Sequence, residues 1–169
     1  GVTIMQVDEG LDTGDILIME ETPITKDTTA SDLHDRLSIM GAQLIVQALA
    51  GAVTPRVQPK YGVTYAAKLD RNDGRLDWSL PAAKLERRVR ALNPWPGVWF
   101  DYAGTRLKVL AADVNKQSGE RGTVLNNQFR IACGEGSLDV RLVQKEGKGA
   151  MGAEDFLRGF SLPSGTQLA

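Results

Sequence analysis

The sequence predicts two architectures in series, α/β then β: the tail of an α/β layer, followed by a small all-β barrel or sandwich. Three observations predict it. Residues 2–50 read as strand, turn, strand and helix. Residues 54–62 break that periodicity with Pro55, Pro59 and Gly62, and the balance of charge changes sign there. Residues 98–144 then hold five short strand patterns within about 50 residues, the density of a barrel or sandwich.

Each element has a local reason. Val2–Val7 and Ile16–Glu20 are apolar, β-prone runs on either side of a turn, Asp8–Asp15, rich in Gly and Asp. Thr29-Ala30-Ser31-Asp32 is a capping-box pattern, in which the Thr29 hydroxyl caps a helix and Asp32 answers three residues on. The helix it starts places Leu33, Leu37, Met40, Leu44 and Ala48 on one apolar face, and Gly51 supplies a stop. Ser79-Leu80-Pro81 opens a second helix with proline near its first position. Leu85, Val89 and Leu92 form its inward stripe, and Asn93-Pro94-Trp95-Pro96-Gly97 ends it, because proline cannot continue the ladder. Strands follow at Val98–Tyr102 and Arg106–Val114 around Ala103-Gly104, at Gly122–Leu125 and Gln128–Cys133 around Asn126-Asn127, and at Ser137–Gln144. A short helix at Ala153–Leu157 and a polar tail complete the chain.

Composition narrows the class. Of 169 residues, 42% are hydrophobic and 24% charged, values ordinary for a globular domain. Cys133 is the only cysteine, so no intrachain disulfide forms and a reducing cytoplasmic setting is expected. The longest apolar run, Leu44–Ala50, falls far short of the roughly 20 residues that span a bilayer, so no membrane association is expected. The net charge of −1 conceals two halves. Residues 1–59 carry three bases against nine acids, a net −6, and residues 60–169 carry seventeen against twelve, a net +5. A basic module beside an acidic one points to a polyanionic partner for the second. The chain opens on Gly1 inside a strand pattern, so part of that segment's machinery is expected upstream.

Most candidate residues have plain structural readings. His34 follows Leu33 on the first helix without a motif around it and reads as a surface or boundary residue. Cys133 ends a strand without a paired base and reads as core. Trp95 and Trp99, beside Pro94, Pro96 and Gly97, also read as core. Lys84, Arg87, Arg88 and Arg90 on the second helix are better placed to meet RNA, although a solvated basic face has the same pattern. The triplet Asp12-Thr13-Gly14 matches that of aspartic proteases, whose paired carboxylates share a proton. That chemistry calls for a mostly β chain with a second triplet or a homodimer, and neither a second triplet nor flap-like strands occur here.

The longer string decides the matter. Gly1-Val2-Thr3-Ile4-Met5-Gln6-Val7-Asp8-Glu9-Gly10-Leu11-Asp12-Thr13-Gly14-Asp15 resembles the end of the catalytic domain of the methionyl-tRNA formyltransferase family. So do Tyr65-Ala66-Ala67-Lys68-Leu69, Gly74-Arg75-Leu76-Asp77-Trp78, Arg90–Gly97 and Gly147-Lys148-Gly149-Ala150-Met151, all in family order.

The resemblance implies the C-terminal end of a Rossmann-like formyltransferase domain (residues 1–53), a linker (54–64) and an OB-fold-like, tRNA-contacting domain (65–169). It implies transfer of formyl from 10-formyltetrahydrofolate, as donor cosubstrate and without metal, to the amino group of initiator methionyl-tRNA. It implies a monomer at full length. The family's chemistry uses an Asn, a His and the Asp of the Leu-Asp-Thr-Gly turn, and only the last maps here, onto Asp12. Val7, Asp8, Glu9, Gly10 and Leu11 would supply backbone contacts to the folate ring, and Lys84, Arg87, Arg88 and Arg90 would meet tRNA. Formyl transfer develops an oxyanion that needs fixed donors, so without the Asn and His the chain is expected to be inactive alone. Two alternatives stay open: a formyltransferase acting on an amino sugar or nucleotide precursor, and a non-catalytic RNA-binding module.

Overall fold

The structure, a computed structural model, describes residues 1–51 and 53–168. It falls into two compact units, Gly1–Lys68 and Leu69–Ala169. Among the described residues no helix is long and apolar enough to cross a membrane.

In the first unit β1 (Val2–Met5) pairs antiparallel with β2 (Ile16–Glu20). The pair is followed by α1 (Ala30–Leu49). The expected capping box is present: Thr29 Oγ1 accepts from the Asp32 amide, and the Asp32 carboxylate accepts from the Thr29 amide. These bonds satisfy two donors that a helix start otherwise leaves open. They also hold the Asp32 carboxyl below the usual carboxylate range, through the Thr29 hydroxyl first and its amide second. Leu33, Leu37, Met40, Leu44 and Ala48 make the covered face of α1, as their spacing predicts, with Leu44 and Ala48 fully buried. The helix ends at Ala50, and Gly51 takes the left-handed φ of +88° that glycine adopts without strain. Beyond it the chain returns to β2. Arg56 and Ile16 exchange backbone hydrogen bonds of 2.9 and 2.8 Å, so the proline-rich segment is bonded along part of its length.

The second unit is built on an antiparallel sheet ordered β3 (Trp99–Tyr102), β4 (Thr105–Asn115), β6 (Ser137–Lys145), β5 (Arg130–Ala132), with β7 (Ala150–Gly152) also paired to β6. Along β4 the side chains alternate, Leu107 and Val109 buried and Arg106 and Lys108 exposed. The register slips between Val109 and Ala112, which bends the longest strand. α2 (Ala82–Leu92) follows Pro81 and lays Ala82, Leu85, Val89 and Leu92 into the same core. Asn93 ends it by donating from Nδ2 to the carbonyls of Val89 (2.8 Å) and Val109 (2.9 Å), which ties the helix end to β4. Aromatic rings fill the centre: Phe100 meets Trp78 at 5.5 Å and Phe129 at 6.3 Å, and Phe129 stacks on Phe156 at 5.8 Å. α3 (Ala153–Gly159) supplies Phe156.

Several expectations are adjusted. Residues 122–125 form no continuous strand; Val124 makes a single bridge to Ile131 and Thr123 one to Gln167. The turn at Asn126-Asn127 is longer than the two-residue loop these residues suggest. Leu125 pairs with Arg130, leaving four residues between, and the Asn126 side chain accepts from the amides of Gln128 and Arg130. β7, with no alternation of its own, escaped the sequence reading. Trp99 is buried as expected, but Trp95 is 58% exposed, because the Pro94–Gly97 turn carries it outside the sheet.

Candidate active site

The turn joining β1 to β2 is braced from three directions. At its base the Gln6 amide donates to the Asp15 carbonyl at 2.8 Å. Gly14 packs against this crossing so closely that a Cβ there would overlap the Gln6 carbonyl, so no larger residue fits. On one flank the Asp8 carboxylate accepts from the Gly10 amide (3.0 Å) and the Thr13 hydroxyl (2.7 Å). On the other, Gln58 Nε2 donates to the carbonyls of Asp12 (2.9 Å) and Gly14 (2.6 Å) and touches Met5 Sδ at 3.8 Å.

These braces present Asp12. Its φ is +57°, a left-handed conformation that Asp and Asn tolerate better than most residues. Its side chain is exposed, and the carboxylate takes no hydrogen bond among the described residues. Beside it lies an open groove of about 750 Å3, with Leu11, Asp12 and Thr13 on one side and residues 57–65 on the other. The lining includes no Asn and no His. Val7 and Leu11, 81% and 83% exposed, offer apolar edges on the turn.

The other candidate residues lie elsewhere. His34 is exposed on α1 and faces Asp35 at 3.2 Å, as a surface histidine would. Cys133 is buried, and desolvation pushes its thiol up to about 11, so it is no nucleophile at neutral pH. On α2, Lys84 and Arg87 are exposed. Arg88 is half-buried and donates to the Asp73 carbonyl at 2.8 Å, and Arg90 is held by the Glu86 carboxylate four residues before it. The basic face is therefore two open cations and two that the protein already engages.

A second cleft, in the Leu69–Ala169 unit, encloses about 630 Å3. Arg75, Arg88 and Arg121 line it opposite Asp70, Asp73 and Asp77, so its charges largely cancel. Among the described residues no group of three or more His, Cys, Asp or Glu could hold a metal ion.

Sequence reasoning missed Gln58, a single amide in a proline-rich segment that lies 44 to 46 residues from the turn it braces. It also missed the set around Trp99. There Arg106 lies over the indole at 3.5 Å and pairs with Asp101, while Trp99 Nε1 donates to the Arg71 carbonyl. The alternation of β3 and β4 was the available signal, since it brings Asp101 opposite Arg106.

Comparison with known proteins gives the family and the fold. Residues 1–49 match the formyl transferase family and residues 68–161 the formyl transferase C-terminal domain. The chain is 48% identical to a methionyl-tRNA formyltransferase of Ruegeria pomeroyi and 53% identical to one of Paramagnetospirillum magneticum, over 99% of its length in each case. It spans 56% and 57% of those relatives. Its fold is like that of HypX from Aquifex aeolicus in complex with tetrahydrofolic acid (TM-score 0.63, 20% identity, 92% of this chain and 29% of that one). It is also like an N-formyltransferase from Helicobacter canadensis in complex with folinic acid and dTDP-3-aminofucose (TM-score 0.61, 18% identity, 85% of this chain and 54% of that one). The fold is thus of mixed α and β content, and the chain belongs to the formyl transferase family, with residues from both its N-terminal and C-terminal domains.

Proposed function

We propose that the protein this chain represents transfers formyl from 10-formyltetrahydrofolate to the amino group of initiator methionyl-tRNA. The observation that carries the reading is Asp12: a carboxylate on a left-handed, triply braced turn beside an open groove, within a segment that matches the formyl transferase family. The relatives' names favour methionyl-tRNA as the acceptor.

In this reading each part of the chain has a task. The acceptor amine must lose a proton and the departing folate nitrogen must gain one, and Asp12 is placed to hold and move that proton. Val7 and Leu11 would give a planar ring apolar edges, while the backbone of Asp8 and Glu9 and the carbonyl of Gly10, whose amide Asp8 already engages, would offer it hydrogen bonds. The side-chain amide lining the groove, Gln58, is committed to the Asp12 and Gly14 carbonyls, and the lining holds no Asn or His, so in this reading the family's Asn and His are required for turnover and this chain alone is inactive. We assign residues 1–53 to the end of a Rossmann-like catalytic domain, 54–64 to a linker and 65–169 to an OB-fold-like barrel. Lys84 and Arg87, with Arg88 and Arg90 behind them, would meet tRNA phosphate. The protein would act as a cytoplasmic monomer.

The test is a formylation assay of the full-length protein with three mixtures: initiator methionyl-tRNA, an amino-sugar nucleotide, and no acceptor. Formylation of the tRNA at a rate well above the other two is expected. A faster reaction with the amino sugar would place the protein in the other branch, and tRNA binding without formylation by any mixture would leave an RNA-binding module.

A further inference from the structure

We propose that Gln58 is a positioning residue for the Asp12 carboxylate, fastening the turn that aims it. The inference rests on Asp12 being the carboxylate of the reaction.

The register of the backbone explains why this residue can do it. Ile16 and Arg56 exchange two backbone hydrogen bonds as antiparallel neighbours. Two residues further along the returning segment and two residues back along β2, Gln58 comes opposite Gly14. A ladder would continue there, but the chain has already entered the Asp8–Asp15 turn, and a side chain takes over from the backbone. A carboxamide nitrogen carries two N–H donors. Gln58 Nε2 spends them on two carbonyls one residue apart, Asp12 at 2.9 Å and Gly14 at 2.6 Å. Gln58 itself is half-buried, with its amide against Met5 Sδ, so its direction is fixed by packing.

The turn needs this fastening. A left-handed backbone is less favourable than the right-handed one even for Asp, which tolerates it better than most residues, and Asp12 has φ +57°. The Asp8 brace reaches Gly10 and Thr13 but not Asp12. Of the hydrogen bonds at the turn, only that from Gln58 falls on the backbone of Asp12 itself. Without it, Asp12 could relax toward ordinary φ, and its carboxylate would point away from the reacting nitrogen while the groove and its apolar edges remained. The loss should therefore appear in turnover rather than in binding.

Steady-state kinetics on the full-length protein test this with Gln58→Met, Asp12→Asn and the double variant. Gln58→Met keeps the length of the side chain and its packing but removes the donors. It should lower kcat by about 10- to 100-fold, the scale of a misplacement near 1 Å, with KM for folate and tRNA within about two-fold. In the Asp12→Asn background the same change should add nothing, because Gln58 acts through that carboxylate. An undiminished effect in that background, an unchanged kcat, or a change confined to KM would overturn the inference. Full turnover by Asp12→Asn would overturn the reading beneath it and the inference together. Should Gln58→Met fail to fold, Gln58→Lys keeps a donor of similar reach and Gln58→Glu replaces it with an acceptor facing two carbonyls. Lys should then outpace Glu by about ten-fold, and equal rates would contradict the proposal.

Discussion

The two units are stabilised in different ways. Among the described residues of Gly1–Lys68, the buried apolar side chains are Ile16, Leu44 and Ala48. Its strands and helix are held instead by specific polar contacts: the local Thr29–Asp32 box and Asp8 brace, and the Gln58 fastening from a distant part of the chain. Several large apolar residues stay open, among them Val7, Leu11, Val46 and Leu49 at 67–83% exposure. The Leu69–Ala169 unit buries Phe100, Phe129, Leu107, Ile131 and Leu138 almost completely, around a shared aromatic centre. Hydrophobic burial scales with the apolar area removed from water, so the second unit should carry most of the stability. The first holds its shape through specific polar contacts, which suit the role proposed for the Asp12 turn.

Core truncation would break or sustain that contrast most strongly. Phe100→Ala should destabilise the second unit by about 3–5 kcal/mol, since the ring touches both Trp78 and Phe129 and leaves a cavity the sheet cannot close. Leu44→Ala should fall at the low end of the roughly 2–5 kcal/mol range, because its neighbours Leu37 and Met40 are only half-buried and can relax. Denaturant unfolding followed separately in each unit reads both, and equal costs would erase the distinction.

The next effect in size concerns the basic helix. If α2 meets tRNA phosphates, Arg87→Ala should reduce the slope of log affinity against log salt by about one unit, equally for initiator and elongator tRNA. Arg90→Ala should change that slope less, because Glu86 already neutralises its guanidinium. A salt titration of binding that showed the reverse order would mean the Glu86 pair opens to receive RNA.

Smaller still is the helix cap. Thr29→Ala should cost about 1 kcal/mol, the usual value of such a cap, and fray the start of α1 without touching the second unit. The Asp32 carboxyl titrates below its ordinary value, so its contribution is present above the unfolded pKa and fades as pH falls through the lowered one. The gap between the thermal melts of wild type and Thr29→Ala should therefore narrow from neutral to acid pH. Cys133 gives a last, basic-side signature. Its thiol ionises near 11 in the fold against 9.0 in the open chain, so its contribution is intact below pH 9 and is lost as pH rises toward 11. Alkylation at pH 8 should be slow in the folded chain and fast in denaturant.

Local devices were the legible part of this chain. Thr29 and Asp32 stand three residues apart, and the amphipathic spacing of α1 and α2 repeats within a few turns, so sequence alone placed both helices. Asp12 stood in a turn string long enough to be recognised. Features set by distant partners were not legible. Nothing near Gln58 reveals that its amide ends at Asp12 and Gly14. The four-residue loop at Asn126 follows from a register fixed by Leu125 and Arg130, and the loss of a continuous strand at 122–125 follows from its backbone hydrogen bonds being divided between residues 130–132 and residues 165–168. Arg90 shares the outward spacing of Arg87 and Arg88 flanks the buried stripe, but the Asp73 carbonyl that holds Arg88 lies 15 residues away and leaves no local sign.

In the proposed function, chemistry resides on the Asp12 turn and RNA contact in the second unit. The most direct measurement is kcat and tRNA affinity for Asp12→Asn and Asp15→Asn, side by side in the full-length protein. Asp12→Asn keeps the size of the side chain and removes its charge, so kcat should fall by about 100-fold or more with tRNA affinity unchanged. Asp15→Asn should be far milder, because its backbone carbonyl, not its carboxylate, closes the base of the turn. Equal losses of rate from the two substitutions, or a loss of tRNA affinity that matched the loss of rate for Asp12→Asn, would contradict the account.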